Sequence, residues 1–306
     1  MSIEKVGFEN MWKKEIVKEA CRKFEGDDSS IRLIGGRYQH VFEFTRNNEP
    51  CILKLFPIAV KDQKILELEL HWMSYLRDKK IKIPKTIPSI NGNVIEAVPI
   101  LPLPFCAVAF EKAEGEKIDL NKTIFGNNHF FRMYGQLLGQ LHFLARRSQH
   151  EYPLFDQWNE GEFYQRDFSL VDNHLLNKLY MYIEQIESFP KTTDSYGLIH
   201  NDLHLNNFLI TKNKEFVLYD FSKTKYHWYT YDIAITITHI IESYNPEDKQ
   251  QFLEHCLLAF MEGYLAESSL EEGWEEQIQF FLDFYEVVRE IEKMSRYDLI
   301  HTQKSS

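Results

Sequence analysis

Apolar positions in this chain recur at two spacings, one of a strand and one of a helix, and the switches between them predict the elements. Phe8, Trp12, Ile16, Val17 and Ala20 fall on one face of a helix over residues 8–24. The polar run Gly26-Asp-Asp-Ser-Ser30 reads as a break. Two strands follow, 31–34 and 40–45, joined by Gly35-Gly-Arg-Tyr-Gln39, and a turn over 46–50 leads into a third strand, 51–56. A helix over 61–77 stops before Pro84 and Pro88. Within 87–98, Asn91-Gly92 is a hairpin turn signal. Phe105-Cys-Ala-Val-Ala-Phe110 reads as a buried strand, followed by the polar stretch Glu111–Gly115. Tyr134, Leu137, Leu138, Leu141 and Ala145 mark a helix over 129–147, and a helical run covers Leu175 to Ile186. The tail, 245–300, carries two helical stripes, one through Phe252, Cys256, Ala259 and Phe260, the other through Ile278, Phe281, Phe284, Val288 and Ile291.

Residues 198–221 organise the rest. The runs Phe208–Ile210 and Phe216–Tyr219 flank the turn Thr211–Glu215 and predict a β-hairpin. Asp202 and Asn207 stand before its first strand and Asp220 after its second, so antiparallel pairing brings them to one end. That cluster suits phosphoryl transfer. The reaction needs a metal against the phosphate charge and a group that orients the attacking hydroxyl and takes its proton. Mg2+ favours a few hard oxygen ligands, which Asn207 and Asp220 can supply, and Asp202 suits the base.

The pattern His200-x-Asp202-x-x-x-x-Asn207 followed by Asp220-Phe221 resembles the protein-kinase superfamily, and is most similar to its aminoglycoside phosphotransferase and choline kinase branch. The Asp202-x-His204-x-x-Asn207 form is common in that branch. His-Arg-Asp of the protein kinases is absent, since Asn201 lies between His200 and Asp202. The resemblance implies an α+β, two-lobed kinase-like fold, with a small antiparallel sheet lobe and a larger, mainly helical lobe. It implies a nucleotide-binding lobe over 1–110, a hinge at 111–115 and a catalytic and acceptor-binding lobe over 116–306. His200 would support the catalytic loop, and Asp232, in Tyr231-Asp232-Ile-Ala234, would tie that loop in place. Ser222 stands where the family often has a second metal carboxylate.

Upstream residues extend the pattern. Gly35-Gly36 with Val41 is similar to the short phosphate lid of the aminoglycoside kinases, although two glycines alone can make a plain turn. No Walker motif is present. Lys54 lies between Leu53 and Leu55, where it either faces solvent by strand alternation or serves as the lysine that grips the nucleotide phosphates. Glu67 and Glu69 on the next helix are possible partners, and the family's spacing to Tyr75-Leu76 selects Glu69. In the hinge, Glu111 and Ala113 would offer backbone groups to the nucleobase. His142 reads as structural, and the aromatic residues Trp158, Phe163 and Tyr164 read as core more readily than as ligand contacts.

Composition narrows the partners. The 306 residues include 44% hydrophobic ones, enough for a sizeable core, and the net charge of −11 disfavours nucleic acid. The four cysteines form no metal or disulfide pattern. The most apolar stretch, 97–110, is broken by prolines and too short to span a membrane, and the charged N-terminus lacks a signal-peptide core, so a cytoplasmic protein is expected. From Glu262 to Glu292 there are ten carboxylates and one basic residue, Arg289, which fits either a solvated helix face or a rim that collects a cationic acceptor. The resulting expectation is a Mg2+-dependent kinase with ATP or GTP as donor and a hydroxyl of a small, cationic molecule as acceptor. The alternative is a silent kinase-fold binding protein.

Overall fold

The computed structural model describes residues 14–35, 40–57, 63–98, 105–118, 128–161, 163–244 and 246–302. Phe8, Trp12 and Gly36 lie outside them. The chain forms two compact units, one of Met1–Glu116 with Leu209–Tyr219, the other of Lys117–Phe208 with Asp220–Ser306.

In the first unit, helix α1 (Lys14–Lys23) turns Ile16, Val17, Ala20 and Cys21 onto a sheet. Strands β1 (Asp27–Gly35), β2 (Val41–Arg46), β3 (Glu49–Pro57) and β6 (Phe105–Glu111) pair antiparallel in that order. Alternation along β3 sends Cys51, Leu53 and Leu55 into the shared core and puts Lys54 on the other face, in register with Val41 and Val108. Helix α2 (Gln63–Asp78) follows, with Leu66, Glu69, Leu70, Trp72, Met73 and Leu76 buried.

Two sequence expectations fail here. Residues 27–30 are not a break, because β1 begins at Asp27. The pairs Asp27↔Thr45 and Arg32↔Glu43 are out of step, so the polar residues sit in a bulge. Asp27 there accepts hydrogen bonds from the Ser29 hydroxyl at 2.6 Å and from the Ser29 N–H at 2.9 Å, the second of which satisfies a backbone donor within the bulge. Asn91-Gly92 does not close a hairpin either. Strands β4 (Thr86–Ile87) and β5 (Glu96–Val98) both pair with β6, at Phe110/Ala109 and at Ala107–Phe105 respectively. They are two pieces of one interrupted edge strand, and residues 88–95 make an excursion between them. Buried Glu96 holds that excursion, accepting from Ser89 Oγ at 2.6 Å, Asn91 Nδ2 at 3.2 Å and Asn93 Nδ2 at 3.1 Å.

The second unit is mainly helical. Helix α3 (Asn128–Ser148) crosses helix α6 (Lys249–Glu267) at backbone contact. A Cβ on Gly135 would lie 1.8 Å from the Phe260 carbonyl oxygen, and one on Gly263 would lie 1.9 Å from that of Arg132. Helices α4 (Asn173–Glu187), α5 (Tyr229–Tyr244) and α7 (Trp274–Thr302) enclose a core of Trp158, Leu179, Ile186, Trp228, Phe281 and Phe284. Phe163 and Tyr164 pack against that core, in line with the structural reading of these aromatics.

Residues 196–228 form two nested hairpins. The outer pair, β7 (Tyr196–Ile199) and β10 (Lys225–Trp228), runs antiparallel from Lys225↔Ile199 to Trp228↔Tyr196. The inner pair, β8 (Phe208–Ile210) and β9 (Phe216–Leu218), is the hairpin that the two apolar runs predict. Its β8 strand bridges Glu116 through two backbone bonds of 3.0 Å. Gly115 beside that bridge has φ +133, and a Cβ there would sit 2.9 Å from the Ile210 carbonyl oxygen. The arms joining the two hairpins, 200–207 and 219–224, hold the candidate catalytic residues. Among the described residues no helix is long and apolar enough to cross a membrane.

Candidate active site

The two nested hairpins set up the candidate catalytic loop. Continuing the β7/β10 register beyond Ile199↔Lys225 places Asn201 opposite Lys223. Asn201 has φ 61, a left-handed conformation that asparagine tolerates better than most residues. Its Nδ2 donates to the Lys223 carbonyl at 3.1 Å. Asp232, fully buried in the first turn of α5, receives the next two backbone donors. Its Oδ2 accepts the His200 N–H and its Oδ1 the Asn201 N–H, each at 2.9 Å. His142 of α3 reaches the same Oδ2 through Nε2 at 3.1 Å and the Tyr264 hydroxyl through Nδ1 at 2.9 Å. Burial lowers the His142 pKa, against the pull of Asp232. His142 is therefore structural, as the sequence suggested, and Asp232 fixes the backbone at His200 and Asn201, the place that the resemblance implied for it.

Asp202 follows, with its side chain 17% exposed. Oδ1 faces Lys223 Nζ at 3.2 Å. Oδ2 faces Asn207 Nδ2 at 3.3 Å and His204 Nε2 at 3.8 Å. Asn207, buried, also donates from Nδ2 to the backbone oxygen of Asp202 at 2.8 Å, which leaves its amide oxygen as the group it can offer a cation. His204 Nδ1 accepts the Asn206 N–H at 3.1 Å, so the ring proton sits on Nε2, on the side of Asp202. Asp220 is half-buried at φ 69, in the arm after β9.

His200 is buried, and its ring centroid lies 4.8 Å from that of Phe221. Neither ring nitrogen has a hydrogen-bond partner among the described residues. Burial lowers its pKa, so the ring is neutral at pH 7. Its contribution comes from packing and from its main-chain bond to Asp232.

A run of imidazole and aromatic contacts continues from His204, beside Asp202. The His204 and His239 rings lie 5.6 Å apart, edge to face. His239 Nε2 meets the Tyr285 hydroxyl at 3.1 Å. Burial pushes the His239 pKa down to about 4. Beyond Tyr285, Arg289 pairs with Glu242, and Glu292 lies 3.8 Å from Arg166. These two carboxylates thus already have guanidinium partners. Lys223, His239 and Tyr285 belong to no motif that the sequence displays. Only the β7/β10 register and the packing of α5 with α7 reveal them.

The nucleotide-binding candidates all lie in the first unit. Gly35 ends β1 at φ +154. Lys54 is half-buried on β3, on the face away from the α1 core. Of the two glutamates offered to it, Glu69 is buried, at 4% exposed, whereas Glu67 is exposed and accepts from Gln63 Nε2 at 2.9 Å. Glu111 gives its N–H to the Lys85 carbonyl at 2.9 Å, so a ligand there would meet its carbonyl. Lys112 beside it is anchored on Glu43 at 2.7 Å. The Lys112 hydrogen bond, with help from Arg32 and against burial, holds the Glu43 pKa low.

Comparison with known proteins decides the family. The profile of the phosphotransferase enzyme family matches residues 30–288. The chain belongs to that family. It is an enzyme of the small-molecule kinase class, with the kinase-like fold that its sequence implied. The amicoumacin kinase of Bacillus subtilis (strain 168) is 27% identical over 297 residues, which span 94% of this chain and 84% of that protein. Among solved structures, an amicoumacin kinase in complex with AMP-PNP and Ca2+ superposes with a TM-score of 0.83 at 23% identity, covering 93% of this chain and 86% of the other. A microcompartment-associated aminopropanol kinase superposes at 0.69 and 20% identity, covering 91% and 88%.

Proposed function

We propose that this enzyme moves the γ-phosphate of ATP or GTP, with Mg2+, to a hydroxyl of a small cationic molecule. The observation that supports it most is the state of Asp202, a carboxylate held at both oxygens on a loop whose backbone is fixed by a buried aspartate. Asp202 orients the acceptor hydroxyl and takes its proton. His200 supports the loop. Asn207 and Asp220 would hold the metal. One amide oxygen and one carboxylate suit Mg2+ when phosphate oxygens and water complete its shell. When bound, the ion offsets phosphate charge. Lys54, backed by Glu69, grips the phosphates, Gly35 and Gly36 cover them, and the Glu111 carbonyl and Ala113 N–H hold the base.

The acceptor class follows from the relatives and from charge. Aminopropanol, named for one structural relative, and choline, named for the branch that the sequence resembles, each join a hydroxyl to a cationic nitrogen, and the net charge of −11 favours a cationic ligand. Amicoumacin is the first acceptor to try, since it is named for both a sequence relative and a structural one. The test is a thermal-shift panel with ATP or GTP, with and without Mg2+, followed by phosphate-transfer assays on amicoumacin, aminopropanol, choline and an aminoglycoside. A Mg2+-dependent nucleotide shift and transfer to one of these acceptors are expected. Folded protein that shows no shift at millimolar nucleotide would sink the reading.

A further inference from the structure

We propose that Lys223 is a positioning residue for the transfer: its ammonium, with the Asn207 amide, fixes the plane of the Asp202 carboxylate. This rests on the reading of Asp202 as the base.

A carboxylate gripped at one oxygen still turns about its last side-chain bond, whereas one gripped at both does not. Asn207 Nδ2 stands 3.3 Å from Oδ2 and is itself tied to the Asp202 backbone oxygen at 2.8 Å, so that grip is rigid. His204 Nε2, at 3.8 Å from Oδ2, lies beyond hydrogen-bond length. Lys223 Nζ, at 3.2 Å, supplies the hold on Oδ1.

The lysine does not reach Asp202 by chance of a long side chain. Its backbone is set by the β7/β10 ladder, which ends two residues later at Lys225↔Ile199. Asn201 then holds the Lys223 carbonyl at 3.1 Å, while the Asn201 N–H is fixed on Asp232 at 2.9 Å. A closed circuit results: Asp232 holds Asn201, Asn201 holds Lys223, and Lys223 holds the residue next to Asn201. It joins the arm carrying Asp202 to the arm carrying Asp220.

The Lys223 side chain is 52% exposed. An ion pair so open to water adds little to stability. A cation also makes a neighbouring carboxylate a weaker base. Neither strength of fold nor strength of base accounts for the contact, whereas orientation does, because transfer depends steeply on the alignment of the reacting groups. Lys223 exchanges no proton. The acceptor O–H bond breaks as a bond from that proton to Asp202 forms, and the acceptor oxygen bonds the phosphorus as the bond from phosphorus to the nucleotide breaks.

The test compares Lys223→Ala, Lys223→Met, Lys223→Arg and Asp202→Asn in the full chain. Turnover is read with Mg-ATP and amicoumacin, and also as Mg-ATP hydrolysis, in which water is the acceptor. Loss of the ammonium is expected to lower kcat by roughly 10- to 100-fold, the scale of a misaligned reacting group. The KM for ATP should stay unchanged. Melting temperatures should stay within about 2 °C of the parent, as for an exposed pair. Lys223→Arg, which keeps a cation on a side chain of similar reach, should recover most of the rate, and Lys223→Met should not. Normal kcat in Lys223→Ala and Lys223→Met, beside an impaired Asp202→Asn, overturns the proposal and leaves Asp202 as base. An effect confined to the acceptor KM also overturns it and makes Lys223 a substrate contact. Parental turnover in Asp202→Asn would instead remove the reading of Asp202.

Discussion

Asp232 and Asn201 meet at 2.9 Å through a carboxylate oxygen and a backbone N–H, and the other oxygen of Asp232 takes the N–H of His200 at the same distance. One fully buried side chain thus replaces two ladder bonds at the point where β7 gives way to the proposed catalytic loop. Asp232→Ala leaves those two donors and His142 Nε2 without an acceptor. Each unsatisfied buried group costs about 1–3 kcal/mol, so a loss of at least ~3 kcal/mol is expected in urea unfolding. Turnover should fall with it.

Asp202→Ala is expected to reduce turnover by ~10²–10⁴-fold, the usual worth of a general base. Nucleotide affinity, measured by calorimetry with Mg-ATP, should persist, because Asp202 is neither a proposed nucleotide contact nor a proposed metal ligand. Unchanged turnover would reassign the base.

The φ of 61 at Asn201 separates two substitutions that look alike. Asn201→Gly keeps the backbone at ease and loses only the bond to the Lys223 carbonyl. Asn201→Ala adds the cost of a left-handed non-glycine residue, about 1–2 kcal/mol. The alanine variant should therefore be the less stable of the two in equilibrium unfolding.

Gly135→Ala would raise helix propensity by about 1 kcal/mol in an isolated helix. In this chain its methyl group would lie 1.8 Å from the Phe260 carbonyl oxygen, so α3 and α6 must part. A net loss of about 2–3 kcal/mol is expected, the usual scale of overpacking, read from the shift in denaturation midpoint.

Stability should fall as pH drops through the histidine range. Burial lowers the pKa of His142 and His200, and takes that of His239 to about 4. In the unfolded chain these rings titrate near 6.5. Below that value the unfolded state binds protons that the folded state refuses, so unfolding becomes easier. For His239 the stabilisation is complete above about 6.5 and disappears as pH falls to about 4. Within the window each histidine adds up to about 1.4 kcal/mol per pH unit to the slope. His239→Gln should make the slope between pH 6.5 and 4.5 shallower by about one proton. An unchanged slope would show that the ring is protonated in the folded protein.

Much of this was legible in the sequence because it was local. The inner hairpin, the spacing of His200, Asp202, Asn207 and Asp220, and the helical stripes are written in contiguous residues. Two local signals misled. Gly26–Ser30 looked like a break, but side-chain bonds from Ser29 to Asp27 let the strand absorb it as a bulge. Asn91-Gly92 looked like a hairpin, but β6 already offered an edge to both flanking segments. What stayed hidden was non-local. Tyr196-Gly-Leu-Ile and Lys-Tyr-His-Trp show no clear alternation, because β7 is buried on both faces, and their pairing joins Ile199 to Lys225 across the whole inner hairpin. Without that register nothing ties Lys223 to Asp202. His239 and Tyr285 likewise meet only where α5 packs on α7.

The outer ladder works as a ruler. Lengthening either arm by one residue would shift what faces Asp202 and break the match of Asn201 with Lys223. The tip of the inner hairpin, Lys212–Lys214, is exposed and bound by no such count. Drift in chain length within this stretch is therefore expected to gather at that tip in related chains, and a peptide tag or reporter loop placed there should leave the catalytic loop undisturbed.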